Sequence, residues 1–374
     1  MELIPNRNPM NGTFELTVRC NLHCRMCLFR HDDCENSAII AQERTADEWI
    51  DMAEQVAKAG TVGLLITGGE PLFRKDFAKI WEGIYRIGFQ IQLYTNATLV
   101  TPEILALLRK YPPHRIGISI YGASESTYQK VCGNGDAYRL ALEGISRLST
   151  LPSILDFRTT IIKDNLDDMD EMEEWVKKNY GSKYVLTHSS VVFKPVRGGC
   201  SDATFCRLDP EENAKLYFQR YVRLVKRIIG TERFDANNVR FSMQKKPKET
   251  NEMPTLTLFG CDAGMSNYAI TWDGRLLGCQ VMGECYTEPF STGFQTAWYT
   301  FPKTVPPITL DPMCAQCKNS EYCLSCLATR YAETGLLGGC PKYFCGITNC
   351  LTENLISEKE YDNEEAISAP YCPF

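Results

Sequence analysis

The chain has 374 residues, of which 44% are hydrophobic and 23% are charged, and its formal net charge is −6. This composition is typical of a globular protein with room for one large domain and a smaller one. The acidic balance argues against a nonspecific nucleic-acid binder, and no apolar run is long enough to cross a bilayer, so we expect no nucleic-acid and no membrane partner.

The amino terminus lacks the basic and then apolar segments of a secretory signal, so we expect a cytoplasmic protein. The chain contains 18 cysteines. In a reducing compartment, thiols are more often metal ligands or catalytic groups than disulfides. Four cysteines lie near the amino terminus and eleven lie between Cys261 and Cys372, which predicts at least two metal-bearing regions.

From residue 13 to about 230, short β-branched runs alternate with amphipathic stretches, the pattern of βα units on a parallel sheet. A helix follows each strand, and the first begins with a capping box at Thr45 and Glu48 and ends before Gly60. Periodicity leaves open whether the units form an open sheet or a partly closed barrel, but in both cases ligands gather at the carboxyl ends of the strands. We predict six strands, at Thr13–Val18, Val62–Ile66, Gln90–Tyr94, Arg115–Ile120, Asp156–Ile162 and Tyr184–Val192.

The polar segment 231–255 predicts a linker between a first domain, residues 1–230, and a second domain, residues 256–350. The second domain is short-stranded and rich in Gly and Cys. Its apolar runs are too few for a large core, so we expect bound metal to stabilise it. The acidic segment 351–374 is predicted to pack as a tail.

The strongest motif is CNLHCRMC, which places Cys20, Cys24 and Cys27 directly after the first strand. Three thiolates on one short loop can bind three irons of a 4Fe-4S cluster, which leaves the fourth iron open to a cofactor or substrate. A zinc site that uses these cysteines with His23 or His31 is the alternative.

A second motif, Gly68-Gly69-Glu70-Pro71, follows the second strand. The glycines allow close backbone approach to a ligand, and Glu70 offers a carboxylate to an ammonium group. The order and spacing of the two motifs resemble the radical S-adenosylmethionine (SAM) superfamily, in which this turn holds the methionine amine of the cofactor. The resemblance implies an α/β fold, a partial (β/α)6 TIM-type barrel.

The resemblance extends to later strand ends. It implies cofactor contacts for Asn96, Ser119 and Arg158, and an adenine contact for Val196 in the segment FKPVRGG. A purely structural role is the alternative for Asn96 and Ser119. For Arg158, the alternative is a salt bridge.

Two positions depart from the superfamily pattern. Met26 stands where an aromatic residue usually precedes the third cluster cysteine, and it is apolar and flexible enough to cover the adenine side. After the fourth strand the usual arginine is missing; Lys130 is a candidate substitute, and Cys132 has no assigned role.

A second cysteine pattern begins at residue 261 and resembles the SPASM domain, a small cysteine-rich module of a short β-hairpin and helices that binds up to two auxiliary 4Fe-4S clusters. The last close pair is separated by two residues where the family generally has three. The pattern reads Cys261, Gly274-x4-Cys279, Cys314-x2-Cys317-x5-Cys323-x2-Cys326, Cys340 and Cys345.

The family pattern implies two ligand sets. The nearer auxiliary cluster would be held by Cys261, Cys279 and Cys326, with Cys285 a candidate fourth ligand. The other would be held by Cys314, Cys317, Cys323 and Cys345, with Cys340 and Cys372 competing for the place of Cys345. A zinc ribbon is the alternative, although the gap between Cys317 and Cys323 is too short for the usual ribbon.

The resemblance implies that the first cluster reductively cleaves SAM to a 5'-deoxyadenosyl radical, which abstracts hydrogen from a substrate. Two auxiliary clusters favour oxidative modification of a ribosomally made peptide by an anaerobic enzyme, through a thioether or carbon-carbon crosslink. A formylglycine-forming sulfatase maturase is less favoured because Gln280 stands where that class has an aspartate. A radical enzyme that acts on a small molecule is a third hypothesis. A simple electron carrier is a fourth, and the GGEP turn argues against it.

The implied partners are a precursor peptide and a flavodoxin or ferredoxin that supplies electrons. Nineteen residues precede Cys20, so we expect no leader-binding domain within the chain. Either a separate leader-binding protein recognises the substrate or the barrel binds it directly.

Overall fold

The computed structural model describes residues 7–28, 31, 37–192, 194, 202–229 and 258–355. The predictions for Val196, for Cys372 and for the linker at 231–255 lie outside the described residues. Most of the predicted tail at 351–374 lies outside them as well.

Six parallel strands form the first part of a single sheet, in the order β6-β5-β4-β3-β2-β1. Each strand pairs only with its parallel neighbours in this part, as expected when helical connections return the chain to the same edge. The six predicted strands are confirmed, with ends that shift by up to three residues. They are β1 (Asn11–Glu15), β2 (Gly63–Thr67), β3 (Gln90–Thr95), β4 (Arg115–Ser119), β5 (Ile154–Thr160) and β6 (Leu186–Ser189).

Three further strands extend the sheet beyond β1. β7 (Asn267–Ile270) pairs parallel with β1, and β8 (Leu276–Leu277) and β9 (Tyr286–Thr287) follow as an antiparallel hairpin. The nine-stranded sheet is open within the described residues, with β6 and β9 at its edges. The fold is therefore α/β with a partial barrel, as predicted.

Helices connect the first six strands. The predicted capping box is present at the start of the second helix, where the Glu48 amide donates to the Thr45 hydroxyl and the Thr45 amide donates to the Glu48 carboxylate. Such a cap stabilises a helix by about 1 kcal/mol. The helices are α1 (Ser37–Ile40), α2 (Ala46–Lys58), α3 (Phe77–Ile87), α4 (Pro102–Lys110), α5 (Glu125–Cys132), α6 (Ala137–Leu148), α7 (Met169–Tyr180) and α8 (Pro210–Ile229).

Shorter helices dominate the C-terminal region. The α-helical ones cover Pro289–Thr292, Phe294–Thr300, Pro312–Ala315, Leu327–Thr334 and Lys342–Cys350. The 3-10 turns are Pro71–Phe73, Leu166–Asp168, Ala203–Cys206, Phe301–Thr304 and Ser320–Tyr322, and a π-helical turn covers Leu351–Leu355. In the described part of the chain, no helix has both the length and the apolar character required to cross a membrane.

The main core lies between the sheet and its outer helices. The Trp49 ring in α2 packs on Phe14 of β1, with ring centroids 4.9 Å apart. On β2, Leu64 and Ile66 are fully buried in this core, whereas Thr67 lines an internal cavity. Because successive strand side chains point to opposite faces, the outer face is apolar and the inner face is left for polar groups.

Candidate active site

The cysteine loop, residues 20–27, leaves the carboxyl end of β1 and lies over the end of α5. The amide of His23 donates to the carbonyl oxygen of Cys132 over 2.9 Å, and the amide of Arg25 donates to that of Val131 over the same distance. These two hydrogen bonds fix the middle of the loop on the barrel rim.

The glycine turn after β2 lies directly against the backbone that leads into the cysteine loop. Gly68 has a φ of 146°, and a Cβ there would lie 2.5 Å from the Thr17 carbonyl oxygen. A Cβ at Gly69 would lie 2.4 Å from the Arg19 carbonyl oxygen. The amide of Gly69 donates to Thr17 and the amide of Glu70 to Arg19, over 2.7 and 2.9 Å. The turn therefore requires glycine at both positions.

Glu70 is fully buried and ties the ends of β2 and β3 together. Its carboxylate accepts hydrogen bonds from the Leu72 amide, the Thr95 hydroxyl and the Asn96 amide, over 2.8–3.1 Å. Burial raises the pKa of Glu70 to about 7, against the lowering effect of these three donors. Its predicted contact with the cofactor amine stays a prediction.

A cavity of about 390 Å³ lies at the carboxyl ends of β1 to β6. Met26 also lines it, and its place on the adenine side stays a prediction. Eight of the predicted site residues line this one cavity: Cys20, Cys24, Cys27, Gly68, Gly69, Asn96, Ser119 and Arg158.

Several lining residues were missed from the sequence. Tyr94, Tyr121, Thr160 and Thr187 face the cavity from β3, β4, β5 and β6 or the turns that follow them. Their signal was the strand alternation, which assigns every second residue to the inner face once the register is known. His188 also lines the cavity, and burial together with the charges of two arginines in α8 lowers its pKa to about 4. The ring is therefore neutral at pH 7.

Arg158 forms a salt bridge, which was its structural alternative, and also lines the cavity, whereas its contact with the cofactor stays a prediction. Its Nη2 lies 2.7 Å from the Asp156 carboxylate, and its guanidinium lies over the Tyr94 ring, 4.5 Å from the centroid. The Thr187 hydroxyl also donates to Asp156 over 3.2 Å. These contacts hold a cation at a fixed place on the cavity wall.

Burial and nearby charges oppose the ionisation of the Cys20 thiol. Burial raises the pKa of Cys20 well above its usual value, and the charges of Glu70, Cys24 and Cys27 raise it further. For Cys24, the largest cause of a raised pKa is a hydrogen bond with the Cys132 thiol, followed by burial. Three thiols on one short loop, with Cys24 buried and Cys20 and Cys27 half-buried, are stabilised as thiolates by a cationic partner, so the donor set fits an iron-sulfur cluster.

Two hydrogen-bond donors lie at the sulfur of Cys20. The Leu22 amide and the Asn96 side-chain amide lie 3.4 and 3.8 Å from the Cys20 sulfur. Cys132, which had no assigned role, is fully buried beside Cys24. A metal-bound thiolate in this loop would therefore accept hydrogen bonds from groups that the fold already positions.

Two separate groups of thiols form in the C-terminal region. In the first, which we name the near set, Cys326 and Cys261 are the thiols whose charge acts on Cys279, and burial raises the pKa of Cys279 to about 11. In the second, the distal set, the sulfurs of Cys340 and Cys345 lie 3.5 Å apart. The distal set comprises Cys314, Cys317, Cys323, Cys340 and Cys345, which interact with one another.

Among the described residues, no three His, Cys, Asp or Glu side chains converge tightly enough to hold a single metal ion. A 4Fe-4S cluster places each thiolate on a different iron, so it requires a wider set than a single ion does.

Cys285 is buried in the main hydrophobic core, and burial and the charge of Glu284 raise its pKa. Next to Cys279, the Gln280 amide donates to the Glu15 carboxylate over 3.2 Å. Glu15 is buried at the end of β1 and pairs in register with Thr67, which lines the cavity. Through this hydrogen bond, Gln280 connects the neighbouring Cys279 of the near set to Glu15 on the inner face of the barrel.

Comparison with known proteins identifies relatives of both halves. Residues 14–176 match the family model of the radical SAM superfamily. The chain is 28% identical over 333 residues to an AdoMet-dependent heme synthase of Methanosarcina barkeri, covering 86% of this chain and 92% of the relative. It is 28% identical over 164 residues to a PqqA peptide cyclase of Bradyrhizobium diazoefficiens, covering 44% of this chain and 42% of the relative.

Solved structures share the fold. Streptococcus suis SuiB bound to its precursor peptide SuiA superposes with a TM-score of 0.65 at 14% identity, over 91% of this chain and 76% of SuiB. Native anSMEcpe with bound AdoMet superposes with a TM-score of 0.61 at 13% identity, over 92% of this chain and 96% of that protein. At these identities the likeness concerns the fold alone.

Proposed function

We propose that this chain cleaves SAM reductively and oxidatively modifies a ribosomally made peptide, since residues 14–176 match the family model of the radical SAM superfamily. The observation that supports this most is the convergence of the cysteine loop, the glycine turn, Asn96, Ser119 and Arg158 on one cavity. These groups come from distant parts of the sequence. A protein that only carried electrons would not require these groups to line a single cavity.

In this proposal, Cys20, Cys24 and Cys27 hold a 4Fe-4S cluster, which when bound supplies the electron that cleaves SAM to methionine and a 5'-deoxyadenosyl radical. The protein itself binds and orients the cofactor. The turn at Gly68 and Gly69 presents backbone to the methionine amine, with Glu70 as the predicted carboxylate partner. Held in one orientation, the reactive carbon lies near the substrate hydrogen instead of sampling other directions.

Other cavity residues would hold the rest of the cofactor. Ser119 and Arg158 offer a hydroxyl and a fixed guanidinium to the cofactor carboxylate. Asn96 faces the cavity from the end of β3 and is suited to the ribose, and Val196 is proposed as the adenine contact. The phenol rings of the wall limit the water around the radical.

We assign two auxiliary 4Fe-4S clusters to the C-terminal region, which resembles a SPASM domain. The near set would hold one and the distal set the other, with Cys345 as its fourth ligand and Cys340 as a fifth nearby thiol. The charges that act on Cys279 come from thiols of the near set, and those that act on Cys345 come from thiols of the distal set. This pattern supports two clusters rather than one. The near set has three thiols, of which Cys261 and Cys326 act electrostatically on Cys279, and Cys285 is retained as its candidate fourth ligand.

The peptide substrate is supported by the relatives. A PqqA peptide cyclase shares sequence with this chain, and SuiB, of similar fold, has been seen with its precursor peptide. We propose a thioether or carbon-carbon crosslink, because loss of an electron from a substrate radical to an auxiliary cluster permits formation of a new bond. A flavodoxin or ferredoxin would supply electrons in the cytoplasm under anaerobic conditions, and a separate protein would recognise the leader if the barrel does not.

A second candidate is oxidation of a small molecule. It is favoured by the match to the heme synthase, which extends over most of both chains. Formylglycine formation is the third candidate, since the Gln280–Glu15 pair brings a carboxylate close to the position where that class has its aspartate.

The radical chemistry is tested by incubating anaerobically reconstituted enzyme with dithionite and SAM, with and without candidate peptides. We expect 5'-deoxyadenosine from the wild type and none from Cys24→Ala. The matched control is Cys206→Ala, because Cys206 is also buried and packs in the same hydrophobic cluster but does not line the cavity. Absence of 5'-deoxyadenosine from the wild type in every mixture would refute the proposal.

The substrate class is tested by mass spectrometry after co-expression with peptides encoded by neighbouring genes, and in parallel with haem precursors. A loss of two hydrogens from a peptide that contains no aldehyde supports the crosslink. An unchanged peptide together with a modified haem precursor would favour the second candidate. Iron and sulfide analysis should give about twelve irons per chain, four for each cluster.

A further inference from the structure

Arg330 is a buried cation between the two C-terminal thiol sets. Only 2% of its surface is exposed. It lies on the helix Leu327–Thr334, whose N-cap is Cys326 of the near set, and its amide donates to the Cys326 carbonyl over 2.9 Å. One helical turn thus separates Arg330 from a ligand candidate of the near set.

The side chain of Arg330 reaches toward the distal set. Its Nη1 donates to the carbonyl oxygen of Gly339 over 3.2 Å, directly before Cys340. The guanidinium also hydrogen-bonds with the Cys314 sulfur. Its charge is therefore fixed at the distal thiols by the helix on one side and by the Gly339 backbone on the other.

A guanidinium with this degree of burial is costly unless negative charge lies nearby. A 4Fe-4S cluster with four thiolate ligands carries a net negative charge, which becomes larger when the cluster is reduced. A fixed cation within hydrogen-bond distance of a ligand sulfur lowers the energy of the reduced form more than that of the oxidised form. The negative charge of a cluster at the distal set would thus compensate the buried positive charge of Arg330.

We infer that Arg330 is a positioning residue for the distal cluster and raises its reduction potential, so that this cluster is a better electron acceptor than its ligands alone would make it. The inference rests on the proposed function, because it requires a cluster at the distal set. In that reaction the one electron that leaves the substrate radical would pass to the distal cluster, when it is bound, and from there to the oxidised form of the flavodoxin or ferredoxin. No bond to Arg330 forms or breaks.

The test is a redox titration of the reconstituted full-length enzyme, followed by electron paramagnetic resonance, on wild type, Arg330→Met and Arg330→Lys. Methionine removes the charge from a chain of similar bulk, whereas lysine keeps the charge. At the potential where the wild-type distal cluster is half reduced, we expect the ratio of reduced to oxidised cluster to fall about tenfold in Arg330→Met, which corresponds to about 59 mV for one electron. Arg330→Lys should lie closer to the wild type.

Arg207→Met is the matched control. Arg207 is also buried, but its partners are the Glu333 carboxylate and the Tyr343 ring. Because Glu333 lies on the same helix as Arg330, this variant disturbs the helix without removing charge from the thiols. All cluster potentials should be unchanged in it.

The outcomes separate the inference from the proposed function. A wild type that binds about eight irons, with no distal signal, would contradict the three-cluster assignment itself. A distal cluster whose potential is the same in Arg330→Met would overturn the inference alone. If Arg330→Met loses the distal irons, retention by Arg330→Lys supports the charge requirement, whereas loss in both variants overturns it.

Discussion

The amide nitrogen of Glu70 lies 2.9 Å from the carbonyl oxygen of Arg19, the residue directly before the first cysteine of the loop. The turn after β2 and the cysteine loop are therefore joined through their backbones. The glycines at 68 and 69 make this approach possible, since a side chain at either position would overlap the carbonyl groups of residues 17–19. The glycine turn thus determines where the backbone that leads into the cysteine loop can lie.

Gly69→Ala should displace the cysteine loop. The added Cβ would lie 2.4 Å from the Arg19 carbonyl oxygen, and overpacking of this kind typically costs about 1–3 kcal/mol. Because the loop must move to relieve the overlap, we expect the reconstituted variant to bind about four fewer irons than the wild type. Iron analysis and circular dichroism of the folded fraction measure the two effects.

Gly88→Ala is the control for that experiment. Gly88 ends α3 with a φ of 102°, and no atom lies within 4 Å of a Cβ built there. The substitution introduces backbone strain of about 1–2 kcal/mol far from the cysteines. It should lower stability and leave the iron content unchanged; equal iron loss in both variants would contradict the role of Gly69.

The sequence predicted the barrel strands and eight of the site residues that line the cavity, because these depend on local patterns. The β-branched runs, the Thr45 cap and the two motifs each occupy a short segment, and strand ends of a parallel sheet meet at one edge. The pairing of β7 with β1 could not be predicted, since it joins segments about 250 residues apart and depends on which sheet edge is open.

The sequence also did not predict residues that contact a candidate cluster ligand or its neighbour instead of the cofactor itself. Nothing in the sequence around Cys132 signals that it would contact Cys24, because the contact depends on where the end of α5 meets the loop. The same holds for the Gln280–Glu15 hydrogen bond. Motifs identify residues that face a cofactor, whereas tertiary packing decides which side chains face those residues.

His188 should make stability depend on pH. Its pKa is lowered to about 4 from 6.5, first by burial and then by the nearby arginines. Between these pH values the unfolded chain binds a proton that the folded chain does not, so stability falls as pH falls from 6.5 towards 4. The full difference is roughly 3 kcal/mol.

The measurement is anaerobic urea unfolding of wild type and His188→Gln from pH 7 to pH 4. The wild type should lose stability relative to the variant as the pH falls. His114→Gln is the control, because His114 is exposed and its replacement should leave the pH dependence unchanged. A constant difference between wild type and His188→Gln would contradict the prediction.

Arg158→Gln should weaken SAM binding. The guanidinium is fixed on the cavity wall by Asp156 and Tyr94, and a charge-assisted hydrogen bond to a carboxylate contributes about 1.5–3 kcal/mol. Calorimetric titration should show a dissociation constant at least roughly tenfold higher. Arg115→Gln is the matched control, because Arg115 lies 3.8 Å from the same Asp156 carboxylate but does not line the cavity. Unchanged affinity in Arg158→Gln would assign Arg158 a structural role only.

Replacement of Cys132 should change the first cluster without removing iron from it. The Cys132 thiol is fully buried and hydrogen-bonded with Cys24, and a donor to a ligand sulfur stabilises the reduced cluster. Cys132→Ala removes the donor, so its cluster should have a lower midpoint potential, and Cys132→Ser, which keeps a hydroxyl donor, should lie nearer the wild type. A hydrogen bond of about 1 kcal/mol predicts a roughly fivefold change in the ratio of reduced to oxidised cluster at a fixed potential. Loss of iron from Cys132→Ala would instead identify Cys132 as a ligand, and an unchanged potential would show that its contact with Cys24 is only packing.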